Sequence, residues 1–372
     1  MIRIAHISDS HFDHSSRWEE TLRIHQWIAD DIRARGVDLI THGGDLFHAR
    51  PNPEEWRAAA EWLRSLADIA EVVGVYGNHD VASSLAVYPF VRAGHPITIY
   101  DAPTVHRVGE LSIACLPWPR KAALLAALGE AVPPEQVSQA ALTAMRDILA
   151  GFAHADGERV FLGHCMVRGS RLHSGQPLAP GSDFEIGLED LALARANAYL
   201  FGHVHAMNRY MIGGAPGIMP GAPRHTTFGE PGETFYAIVT LDGGKAHVEL
   251  VETPATRMLL FEAEWNGTAL VGLHRFADVA GAECRLRYHV PADQREAAAA
   301  RAKEDRDIMI ANGAVVVRVE EVVEAAVRAR VPEVAAAVTL DDKLRALWRA
   351  KGIELGDREP RVLGRLAELE MA

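Results

Sequence analysis

Residues 4–14 read IAHISDSHFDH, an apolar β-type run of Ile4, Ala5 and Ile7 that breaks off into Asp9, Ser10, His11, Phe12, Asp13 and His14. A strand closes as readily on Gly, Pro or Ser, so folding alone does not require this ending. The same device recurs. Apolar runs at 37–42, 71–76, 159–163 and 198–202 lead into THGGDLFH (41–48), YGNHD (76–80), LGHCM (162–166) and LFGHVH (200–205). Five strand ends therefore deliver Asp, Asn or His. In open α/β sheets the carboxyl ends of parallel strands converge on one crevice, so donors from Asp9 to His205 are expected to meet. Gly44, Gly77, Gly163 and Gly202 precede the donors, as a sharp turn or a close backbone approach would require.

Amphipathic helical stretches fill the intervals, the pattern of β-α-β units. Arg17–Arg35 carries Leu22, Ile24, Trp27, Ile28 and Ile32 at near-helical spacing, with Gly36 placed for a left-handed cap. Asn52 as N-cap and Pro53 at the first helical position start a second helix that reaches about Ile69. Residues 2–8 and 111–116 complete the set of expected strands. A boundary is read at TPAT (253–256), giving domains 1–255, 256–331 and 332–372. The middle one is a small α+β module: RMLLFEAEW, an amphipathic segment around Thr268–Ala277, AECRLRYHV, a helix from about Asp293 to Ile310, and AVVVRVEEV. In the tail, Leu340, Leu344, Leu347 and Trp348 form one stripe, with Leu363 and Leu366 beyond Pro360. That stripe can fold back on the module before it or lie in a partner's groove.

The donor set Asp9, His11, Asp45, Asn78, His164, His203 and His205 mixes carboxylate, amide oxygen and imidazole. It suits manganese, iron or zinc better than calcium, and without thiolates it does not read as structural zinc. There are too many ligands for one ion. Two ions bridged by Asp45 would use them all, and a pair about 3.5–4 Å apart can activate water and clamp a phosphoryl group.

Bulk composition sets the frame. With 48% hydrophobic residues in 372 there is material for a large core, and a net charge of −12 gives no global basic field for nucleic acid. Any DNA contact must be local, metal-mediated or shared with a partner. Cys115, Cys165 and Cys284 form no CxxC pair and are odd in number, which fits a reducing compartment. The opening apolar run is too short for a signal peptide and no later run is long enough to span a bilayer, so a cytoplasmic, soluble protein without membrane contact is expected.

The motifs DSH (9–11), GGD (43–45), GNHD (77–80), GH (163–164) and GHVH (202–205) resemble those of the calcineurin-like metallophosphoesterases, over residues 2 to about 240. GDLFHARPNP (44–53) and PGAPRHTTFGEPGETFYAIVTLDG (220–243) are similar to the double-strand-break repair nucleases, the SbcD subunit and its relatives; the GDxxDRG signature of phosphoprotein phosphatases is lacking. The resemblance implies an α/β fold, an α+β sandwich with a smaller C-terminal α+β capping domain and a helical tail. It implies a manganese-dependent DNA exonuclease, the nuclease subunit of an SbcCD-like repair complex. Asp9, His11, Asp45 and His205 would hold one ion, and Asp45, Asn78, His164 and His203 the other.

By the same resemblance His79 would be the general acid, Asp80 would orient its ring, and His48 would face the phosphate unless it is a surface loop histidine. His6, His14 and His42 match no ligand position, and Cys165 reads as packing. DNA, an SbcC-type ATPase bound through the tail and a homodimer are the implied partners. Arg285, Arg287, Arg295, Arg301 and Lys303 either meet phosphates or form a solvated face. Two further readings stand beside the nuclease: a phosphodiesterase for cyclic nucleotides or small phosphoesters, and a non-catalytic scaffold, which would require missing ligands.

Overall fold

Alternation along the first strands builds two cores at once. In the computed structural model Ile4, Leu39, Val73 and Val75 pack with Ile113, Leu162, Leu200 and Ile218 in one cluster, while Ala5, Ile7, Ile40 and Val72 join the helical residues Ile24, Ile28, Trp62 and Leu66 in another. Successive side chains of a strand point to opposite faces, so each strand feeds both. The structure describes residues 1–81, 84–120, 123–125, 133, 136–172, 184–230, 232–272, 278–324 and 332–370. Contacts divide the chain into one unit of Met1–Phe261, Arg275–Leu286 and Arg306–Arg318, and a second of Glu262–His274, Arg287–Asp305 and Val319–Ala372.

The first unit runs β1 (Ile2–Ile7), α1 (Trp18–Arg35), β2 (Leu39–His42), α2 (Pro53–Ala67), β3 (Glu71–Val75), β4 (Ile97–Tyr100), β5 (Thr104–Val108), β6 (Leu111–Leu116), α3 (Val137–Phe152), β7 (Arg159–His164), β8 (Met166–Val167), β9 (Glu185–Ile186), β10 (Ala198–Gly202), β11 (Asn208–Ile212), β12 (Ala215–Met219), β13 (Phe235–Asp242) and β14 (Lys245–Glu252). One sheet has the order β14-β13-β1-β2-β3-β4 and the other β11-β12-β10-β7-β6-β5. The strands β1 to β4 are parallel, as are β6, β7, β10 and β12; antiparallel β13, β5 and β11 flank them. Helices α1 and α2 cover the outer face of the first sheet, and Met145, Leu149 and Phe152 of α3 pack on Phe161, Tyr199 and Phe201 of the second. This is the sandwich the motifs implied.

The caps behave as the residues predict. Asn52 accepts the N–H groups of Glu54 and Glu55 while Glu55 returns to the Asn52 N–H, a complete capping box, and Gly36 (φ 63°) ends α1 by donating to the Ile32 carbonyl. Trp62, Leu63 and Leu66 then lie buried along α2, each worth roughly 1.5–3 kcal/mol on transfer from water.

Beyond β14 come β15 (Met258–Trp265), β16 (Leu270–Val271), β17 (Glu283–Pro291) and β18 (Val316–Glu324), in the order β16-β15-β17-β18, with a helix at Arg295–Ala311. Of the segment expected around Thr268–Ala277, residues 273–277 lie outside the described residues, as does the boundary expected at 331. In the second unit Arg287 pairs with Glu262 at 3.2 Å and Glu320 at 3.3 Å, Arg295 with Glu321 at 2.6 Å, and Arg301 with Asp305 at 2.7 Å. These cations are engaged by carboxylates. In the tail helices Leu340–Ala350 and Glu359–Glu370, Ala346 and Leu363 are buried, Leu344, Leu347 and Trp348 are half-buried and Leu340 is exposed; the Leu366 side chain is outside the described set.

Candidate functional site

Register brings the donors together. Ile7 pairs with His42 and His42 with Gly74 in one sheet, and Gly202 pairs with His164 in the other, so the loops after β1, β2, β3, β7 and β10 leave the sandwich at one edge. Backbone bonds lock the first two loops together: Asp9 N–H to the Gly44 carbonyl at 3.0 Å, His11 to Asp45 at 3.1 Å and Phe12 to Leu46 at 2.9 Å. Asp9 (φ 52°), His11 (φ 43°), Asp45 (φ 54°) and His203 (φ 113°) all have positive φ. Such conformations cost of order 1–3 kcal/mol each and cluster at functional sites, where the surroundings over-determine them. These four are candidate ligands; the other non-glycine residues with positive φ among the described residues, Arg17 and Arg195, are not.

Every donor named from the sequence reaches this edge. His11 Nε2 and His205 Nε2 face each other at 2.9 Å, and the donor atoms of Asp9, His11 and His205 lie within 4.8 Å of one another. Asn78 Oδ1 lies 2.9 Å from both His164 Nε2 and His203 Nδ1. Between the two groups sits Asp45, whose Oδ2 is 3.4 Å from His164 Nε2 and 3.8 Å from His11 Nε2. Two imidazole nitrogens this close need a proton or a cation between them, and the oxygen and nitrogen donors here suit divalent cations without thiolates. The cradle is tight. A Cβ on Gly77 would fall 2.0 Å from Asp45 Oδ1, and one on Gly44 (φ 96°) 2.5 Å from His164 Nδ1. The residues fit two cations, with Asp45 facing both.

Electrostatics follow from burial and crowding. Burial works against the Asp45 charge, yet the His164, His11 and His79 rings hold its carboxyl below the usual carboxylate range. Burial likewise opposes a proton on His164, but Asp45 outweighs it and lifts the ring to about 9. Burial, then the neighbouring His205, pushes His11 well down, and burial with His164 lowers His203 to about 3. His11 and His203 are thus held neutral, as metal ligation requires, while the proton favoured on His164 is one that a bound cation would displace.

A surrounding layer, which the sequence reading missed, orients these rings. The His164 Nδ1–H donates to the Gly43 carbonyl at 2.7 Å, turning Nε2 inward. His205 Nδ1 lies 3.0 Å from Thr226 Oγ1 and 3.5 Å from Glu230 Oε1; Glu230 in turn accepts the Thr226 N–H at 2.8 Å and hydroxyl at 2.6 Å. Buried Arg224 donates to the His11 carbonyl at 3.0 Å. All three residues fall in the 220–243 stretch, whose density of polar residues was the available signal. Trp118 packs against His203, centroids 4.6 Å apart, and against His164 at 5.9 Å. His42, which matched no ligand position, accepts the Gly44 N–H at 3.3 Å and meets Ser10 Oγ at 2.9 Å. His6 Nε2–H donates to the Phe201 carbonyl at 3.0 Å and so ties the two sheets together, whereas His14 meets Glu54 near the surface. Cys165 is buried.

His79 and His48 stack at 5.2 Å with 22° between planes, and both rings pack on His11. The His79 Nδ1–H donates to the His48 carbonyl at 2.6 Å and its backbone N–H to Asp45 Oδ1 at 2.8 Å. Asp80 corrects an expectation. Instead of orienting the His79 ring, its carboxylate accepts the N–H groups of Gly77 (2.8 Å), Asp45 (2.9 Å) and Phe47 (3.3 Å). Three converging buried donors outbid one ring, because an unpaired buried N–H costs about 1–3 kcal/mol. Burial, then the Asp45 charge, lifts Asp80 to about 7.

Among solved structures the chain is similar to a dimetal phosphatase from Danio rerio (12% identity over 68% of this chain and 96% of that one, TM-score 0.44). It is similar to the protein TT1561 of Thermus thermophilus (18%, 67% and 98%, TM-score 0.37) and to a novel archaeal phosphodiesterase (11%, 67% and 100%, TM-score 0.34). Comparison with curated proteins returned no match. Residues 2–244, more than half the chain, match the calcineurin-like phosphoesterase superfamily domain, and the chain therefore belongs to that superfamily of metal-dependent phosphoester hydrolases.

Proposed function

We propose that the protein is a manganese-dependent DNA nuclease, the nuclease subunit of an SbcCD-like complex, cleaving phosphodiesters at the cluster. The observation that carries phosphodiester cleavage is the stacked His48–His79 pair, two imidazoles that pack on His11 yet are not needed among the ligands. Asp9, His11, Asp45 and His205 would hold one ion, and Asp45, Asn78, His164 and His203 the other; together the ions would supply an activated nucleophile and neutralise phosphate charge. The His48 carbonyl fixes the His79 ring through Nδ1–H, leaving Nε2 to hold the proton given to the leaving oxygen. His48 shields and supports that ring.

DNA as substrate is favoured by the GDLFHARPNP stretch, although part of it has a plain structural task in capping α2. The paired cations of the second unit favour the other reading, a phosphodiesterase for cyclic nucleotides or small esters, unless a partner supplies the basic surface. An SbcC-type ATPase docked on the half-buried Leu344, Leu347 and Trp348 would do so, and a homodimer is a further association consistent with the resemblance. End-labelled duplex and single-stranded DNA, incubated with manganese beside bis-p-nitrophenyl phosphate, test the assignment. Degradation of DNA supports it; turnover of the small diester with intact DNA would transfer the site to the second reading.

A further inference from the structure

A cleft of about 310 Å³ adjoins the cluster, within the range of small-molecule sites, roughly 300–1,000 Å³. Its walls include Tyr76, Trp118, Met145 and Ile148, with Asp101 and Arg120 as charged members. Two features join it to the chemistry. Gly77 lines the cleft and also meets Asp45, and Trp118 lines the cleft while packing on His203 and His164. The Trp118 backbone N–H donates to the Tyr76 carbonyl at 2.9 Å, so the chain after β6 is tied to the end of β3. His48 and His79, by contrast, pack on His11. A phosphodiester carries two organic substituents; one leaves beside His79, and the other needs a place near His164 and His203.

We infer that this cleft receives the nucleobase of the nucleotide whose phosphoester lies at the cluster, an inference that rests on the phosphodiesterase reading above. Aromatic walls take the flat face of any base, because every base has a π-face, while a carboxylate and a guanidinium suit the amino and keto groups on its edge. A methyl or sugar substituent would use neither. A cleft of this size admits one base out of the stack and not a paired duplex, so the substrate class is a terminal or unpaired nucleotide.

The test uses the full chain in manganese with p-nitrophenyl thymidine 5′-phosphate and methyl p-nitrophenyl phosphate, which share a leaving group. The expected kcat/KM ratio is roughly ten- to a hundred-fold in favour of the nucleoside ester, the effect of one base stacking on an aromatic ring, and it should reside in KM. Ile148→Trp, which fills the cleft, and Trp118→Ala, which removes a wall, should each bring the ratio towards one. The ratio does not depend on the fraction of active enzyme, so partial misfolding of a variant leaves it readable. Calorimetric titration with thymidine 5′-monophosphate and with inorganic phosphate should show the same preference and the same loss. A wild-type ratio near one, or a ratio unmoved by both variants, overturns the assignment. Hydrolysis of neither ester overturns the phosphodiesterase reading and takes this inference with it.

Discussion

Glu230→Gln isolates a carboxylate that lies outside the candidate ligand set yet faces the ring of one member. Both Glu230 oxygens accept hydrogen bonds, from the Thr226 N–H and hydroxyl and from Thr227. Glutamine keeps the shape but turns one acceptor into a donor, so at least one of these bonds is lost. The charge facing His205 Nδ1 at 3.5 Å is lost as well. Removing a group that orients a ligating histidine costs about 10- to 100-fold in metal affinity, or roughly 1.4–2.7 kcal/mol. Since His205 meets His11 and not Asn78, only one of two binding events should weaken. Isothermal titration of the metal-free protein with manganese should thus resolve one unchanged event and one shifted by that factor. Equal weakening of both, or of neither, would refute the division of the cluster and the role given to Glu230. A urea midpoint measured without metal separates any loss of fold.

Other outcomes follow from the same geometry. Asp45→Asn tolerates the left-handed backbone at φ 54° but removes the charge facing both groups, so metal content should fall towards none at concentrations that saturate the parent; two ions per chain by elemental analysis would contradict the bridge. His79→Ala keeps the backbone N–H that holds Asp45, so it should retain metal and slow turnover by roughly a hundred-fold or more; metal loss in that variant would make the ring a ligand. Burial lowers His6 to about 4, and His25 and His42 to about 3, from 6.5. Only the unfolded chain takes up these protons just below pH 6.5, so the contribution of these three rings is full above that pH and falls on acidification. Near pH 5 the three rings together give a slope of about 4 kcal/mol per pH unit, and a urea midpoint of the metal-free protein that is flat between pH 7 and 5 would contradict this.

The clustering of the candidate donors was legible because its signal is local: each donor directly follows an apolar run, and the parallel register carries the runs to one edge. Asp9, Asp45, Asn78, His164 and His203 needed nothing else. Glu230, Arg224 and Trp118 carry no such signal, since what matters is a contact across the fold that spacing does not encode. Asp80 shows the converse error. The resemblance implied that it orients the His79 ring, yet the backbone N–H groups of the neighbouring loops claimed the carboxylate. His25, which no spacing singled out, has its ring buried between Phe12 and Trp62.

The origin of the donors in two sheets has a consequence for biosynthesis. Asp9, His11, Asp45 and Asn78 emerge early on strands of one sheet, while His164, His203 and His205 belong to the other and are translated much later. Until the second sheet has docked, the early donors make three of the four assigned to one candidate cation site and two of the four assigned to the other. A chain that lacks the second sheet would therefore hold neither candidate site complete. Hydrolytic competence then reports completion of the sandwich, which keeps an unfinished hydrolase from acting before its fold is whole.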